Sequence, residues 1–70
     1  MTASVIGGAA SDKASEKFIK DAIQGNLAEV AVGKLAQQKG ASQGVRSFGA
    51  MLVSDHGAAN EKAMSVAQTM

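Results

Sequence analysis

Seventy residues with a formal net charge of +1 and no cysteine make at most one small domain, without disulfides, zinc knuckles or thiol chemistry. With seven Lys and Arg against six Asp and Glu, and no Tyr or Trp, there is neither a basic stripe for phosphates nor a stacking platform for bases, which argues against nucleic-acid binding. The lack of proline favours long helices over turn-rich β structure. No apolar run approaches the roughly 20 residues that span a bilayer.

The first stretch, residues 1–11, is small, Gly-bearing and without period. It reads as a frayed or disordered arm and lacks the basic and apolar regions of a signal peptide. Ser11 and Asp12 are good N-cap residues, and Glu16 places negative charge in the first turns of a helix, where the macrodipole favours it. A first helix is predicted over residues 12–39. It closes with Lys39 in its last turn and Gly40 at the C′ position. Ala41 and Ser42 form the turn, Ser42 caps the next helix, and a second helix runs over about 43–69. A link of two or three residues forces the two helices antiparallel, so residues 12–70 are expected to form an αα-hairpin.

Phe18, Ala22, Gly25, Glu29, Val32 and Ala36 recur at alternating spacings of four and three, the rhythm of a helix packed lengthwise on other helices. The second helix carries the same rhythm in Val45, Gly49, Leu52, His56, Ala59, Ala63, Val66 and Met70. Ile19, Ile23, Leu27, Val30 and Leu35 lie outside the first stripe. A helix apolar around most of its girth expects neighbours on two sides. The expected architecture is therefore an all-α hairpin, ferritin-like in its packing, that completes a four-helix bundle by self-association, most simply as a homodimer; the alternative is that it forms half of a longer protein. Gly25, Gly33, Gly49 and Gly57 fall inside the helices at about 1 kcal/mol each relative to Ala, which reads as small-residue packing rather than a ligand role.

Each predicted seam holds one ionisable residue, Glu29 in the first and His56 in the second, offset by about one turn, or ~5 Å, along the hairpin. A carboxylate in a seam is costly unless paired. Two readings follow: a buried Glu29–His56 pair that fixes register, or a divalent metal held between helices by Glu29 and His56, with Asp55 as a third donor. Neither nucleophile, oxyanion donors nor phosphate-binding loop accompanies them, so an enzyme is not the expectation.

These residues also carry a resemblance. Phe18-Ile19, Ala22, Gly25 to Val30, Gly33 to Ala36 and Lys39, followed by Val45, Phe48-Gly49, Met51 to Val53, Asp55-His56 and Ala59-Asn60, resemble the first half of domain of unknown function family 4142. The resemblance implies a ferritin-like helical bundle of the bacterial envelope, periplasmic or associated with the outer membrane, and a second pair of helices beyond those seen here. Ferritin-type di-iron sites use a Glu three residues before the His, where this chain has Val53. The expected function is a non-enzymatic bundle protein of the envelope with a metal as its candidate ligand. Its alternative is a purely structural self-association module with a Glu–His pair and no ligand.

Overall fold

The computed structural model describes residues 12–70; the expected N-terminal arm, residues 1–11, lies outside the described residues. Helix α1 spans Lys13–Lys39 and helix α2 spans Gln43–Ala67. Both caps are those the sequence indicates. Asp12 Oδ1 accepts from the Ser15 backbone N–H at 2.7 Å, and Ser42 Oγ accepts from the Val45 N–H at 3.1 Å. Each supplies an acceptor to a helix N-terminus whose first amides have no partner within the helix.

Gly40 ends α1 for a different reason from the expected one. Its φ of −62° and ψ of 130° are extended rather than left-handed, so any residue could adopt its backbone angles. What it needs is space: a Cβ there would fall 2.5 Å from the Ala36 carbonyl oxygen and 2.8 Å from Val45 Cγ1. The chain turns sharply enough to place α2 directly against the end of α1. Arg46 Nη1 donates to the Gly40 carbonyl at 3.1 Å and ties the turn to the new helix.

The helices run antiparallel and meet most closely at two glycines. A Cβ at Gly33 would lie 2.7 Å from the Gly49 carbonyl oxygen, and one at Gly49 would lie 2.6 Å from the Gly33 carbonyl oxygen. Those distances cannot be relieved by a side-chain rotation, because the obstacles are backbone. The helix-interior cost of glycine is thus offset at this pair by a close backbone approach. Gly57 differs, since a Cβ there would meet nothing within 4 Å.

The hairpin measures 49 × 21 × 14 Å, which is two helices wide and one helix thick. Gly33, Gly49 and Asn60 are buried, and no hydrophobic side chain among the described residues reaches full burial. No helix among them is long and apolar enough to cross a membrane.

Two outcomes are expected. Gly49→Val should sharply lower the thermal melting midpoint followed by circular dichroism, whereas Gly57→Ala should raise helix stability by up to about 1 kcal/mol. The second concerns acid. The Asp12 carboxyl is held below its ordinary value chiefly by the Ser15 backbone N–H and then by the Ser15 side chain. Its folded pKa is depressed, so its contribution is complete above the unfolded value of about 3.9 and is lost as pH falls through the folded value. Amide exchange in the first turn of α1 should rise in that acid range, and Asp12→Asn should remove the step.

Candidate functional site

The line along which α1 meets α2 is set by Ile19, Ile23, Asn26, Val30 and Gly33, all half-buried or buried, and by Leu52, Val53, His56, Asn60 and Ala63 on α2. On α1 this line lies beside the expected one, of which Ala22 and Ala36 stay half-buried, a Cβ at Gly49 falling 2.8 Å from that of Ala36. Phe18 is 70% exposed and Val32 53%, and Glu29 is exposed as well. The reason is that α1 carries two apolar stripes side by side, and α2 covers the one that contains Gly33, because only there can the backbones approach. On α2 the expected seam is followed through Gly49, Leu52 and His56. Asn60, rather than Ala59, then turns inward, and Ala63 of the expected seam is again half-buried.

His56 therefore meets Asn26 and not Glu29. His56 Nδ1 lies 3.1 Å from Asn26 Oδ1. An amide oxygen only accepts, so in this bond Nδ1 is the donor. The expected Glu29–His56 pair is not formed within the chain. Glu29 and Asp55 are both exposed, and the one ion pair among the described residues is Lys17–Asp21 at 2.6 Å. Nor do the described residues hold any group of three His, Cys, Asp or Glu side chains placed for a metal ion. With Val53 where a di-iron centre would need a carboxylate, the donors of a single hairpin do not fit one.

Asn60 lies one turn after His56, a spacing that on sequence grounds lets it share the surroundings of that residue. It is 8% exposed, and its Oδ1 is buried without a hydrogen-bond partner. Its amide nitrogen donates to the thioether of Met64 at 3.5 Å, a weak acceptor one turn away. An unsatisfied buried acceptor costs about 1–3 kcal/mol.

The flanks of the contact line divide into two faces. At about 100° per residue, Phe18, Gly25, Glu29 and Val32 lie on one side of the α1 line, with Ile23, Leu27 and Lys34 on the other. On α2, Phe48, Asp55, Lys62 and Val66 oppose Arg46, Met64 and Gln68 in the same way. Ile23 and Leu27 line one open groove of about 530 Å³ together with Asn60, Met64, Ala67 and Gln68. These flanks thus share one side of the hairpin, the groove face. Phe18, Glu29 and Val32 share the opposite side with Phe48, Asp55 and Val66, and this is the aromatic face.

The family model described as Domain of unknown function (DUF4142) matches residues 1–70. The chain belongs to the DUF4142 family. No curated protein matched it, and no solved structure did either. In this DUF4142 chain the polar residues between the helices are Asn26, His56 and Asn60, whereas the two carboxylates singled out by sequence stand on the aromatic face.

Two measurements check this arrangement. Melting of Asn26→Ala, His56→Ala and the double variant should give a coupling of about 1 kcal/mol, as for one partly buried hydrogen bond. Asn60→Leu should melt higher than the native chain, because it removes the orphaned oxygen while keeping similar volume.

Proposed function

We propose that this hairpin is a non-enzymatic self-association module: one layer of a four-helix bundle whose second layer is another copy of the chain. The observation that carries this reading is a fold one helix thick with no fully buried hydrophobic side chain among the described residues. A helix buries its apolar stripe against another element, and stable domains are built from at least two packed layers. Here Phe18, Leu27, Val32, Leu35, Phe48 and Met51 are each at least half exposed. The absence of Cys and Tyr, together with a single His, supports a role without covalent or acid–base chemistry. The bacterial envelope, which the sequence resemblance implies, is the proposed location of the module, and fractionation of a host expressing the protein checks it.

A second reading rests on Glu29 and Asp55 sharing the aromatic face and on His56 standing in the seam beside it. A divalent cation held across two copies would use these three side chains and neutralise carboxylates that pairing would otherwise bury.

Sedimentation equilibrium at micromolar concentration should give twice the 7.0 kDa chain mass. A cooperatively melting monomer under the same conditions would contradict the proposal. Zinc or manganese should raise the melting midpoint of the native chain and not of His56→Ala if the second reading holds. A metal-independent dimer leaves the first reading standing alone.

A further inference from the structure

We infer that the groove beside Asn60 is a binding site for a small neutral aromatic molecule carrying one N–H or O–H donor, of the indole or phenol type. The site does not depend on self-association, since the residues that line it belong to a single hairpin.

The groove is marked by a polar group that the fold leaves unfinished. Asn60 lines it and is 8% exposed, and its Oδ1 is buried without a hydrogen-bond partner. One turn earlier, His56 is met by Asn26 of α1, but no donor from α1 reaches the Asn60 oxygen. A lone water is a poor substitute. A buried water needs two to four polar partners, and the walls beside Asn60 are Ile23, Leu27, Met64 and Ala67. The other polar lining residue, Gln68, lies roughly 12 Å further along α2. An apolar body with a single donor satisfies both the walls and the oxygen.

The lining narrows the chemistry further. Among the described residues no charged side chain faces the groove, so an ionised ligand would lack a counter-charge there. A carboxylate would also set its own acceptors against that of Asn60. The volume of about 530 Å³ falls within the ~300–1,000 Å³ of small-molecule sites. Met64 favours an aromatic ring, because a thioether makes favourable contacts with ring edges. It also provides the way in. The Asn60 amide nitrogen is held only by the Met64 sulfur at 3.5 Å, and Met64 is 49% exposed. A weak bond to a flexible side chain is readily exchanged, so Met64 swings aside as the ring enters and its donor meets Oδ1.

The chain has neither Trp nor Tyr, so the fluorescence of indole itself reports binding. Indole and N-methylindole, which lacks the donor, would be titrated against the native chain, Asn60→Leu and Leu27→Glu. The native chain should bind indole about tenfold more tightly than N-methylindole, the effect of one hydrogen bond to a buried acceptor. Asn60→Leu should bring the two probes within about twofold of each other, and this double comparison cancels the bulk of the added methyl. Leu27→Glu should weaken indole at least about fivefold by placing a charge on the apolar wall. Circular dichroism verifies that each variant remains helical. Equal affinities for the two probes in the native chain would overturn the inference. So would an indole preference that survives Asn60→Leu, Leu27→Glu without effect, or no binding at millimolar indole. An indole affinity that falls as the chain associates would overturn it as well, because a second copy would then be what covers the groove. A preference for indole that is lost in Asn60→Leu supports the site whether the chain is a monomer or a dimer.

Discussion

The backbone approach at Gly33 and Gly49 governs the rest of the structure. With no Cβ on either side, each glycine's carbonyl stands where the other's side chain would be, and the two helices are locked in register around that point. Asn26 lies two turns before Gly33, and His56 lies two turns after Gly49. The antiparallel arrangement therefore brings them level, 3.1 Å apart. The turn completes the arrangement, because Gly40 lets Val45 and Arg46 fold tightly over the end of α1.

The same contact has an energetic consequence. Helices that meet through glycine and backbone have little side-chain volume between them, so their larger apolar residues are directed to the faces of the hairpin instead of its middle. The interior that remains is narrow and partly polar, and Asn60, the one buried non-glycine residue among those described, has an unsatisfied oxygen. Such a seam supplies register more than stability. Much of the apolar surface that could stabilise the fold resides in the exposed stripes, and the proposed second layer is what would cover them.

Much of this was legible from residue order. The two helices, both N-caps and the antiparallel turn follow from Asp12, Ser42 and the three-residue link, with the second helix ending at Ala67 rather than 69. The choice between the two stripes of α1 was not legible by periodicity. Phe18-Ala22-Gly25-Glu29-Val32 and Ile19-Ile23-Asn26-Val30-Gly33 have the same 4-3-4-3 spacing, so period alone does not separate them, although the second is the more apolar. The deciding signal was steric: of the two stripes, the one with Gly33 can oppose Gly49, and counting outward from that pair selects Asn26 as the partner of His56. Taken this way, Phe18, Glu29 and Val32 of the first stripe mark a face left exposed among the described residues, and Glu29 and Asp55 are residues of that face rather than of the hairpin seam. The unsatisfied Asn60 oxygen had no sequence signature, since it depends on which neighbours α1 presents at that level.

The central claim is that the hairpin is one layer of a two-layer structure whose stability depends on the second layer. Amide hydrogen exchange at the glycine contact, over residues 30–36 and 49–53, measured from nanomolar to millimolar chain concentration, tests it most directly. Protection at these amides should rise with concentration and level off as the second layer becomes fully occupied. Protection that is high and unchanged across the whole range would contradict the account, because the glycine-centred hairpin would then be stable alone.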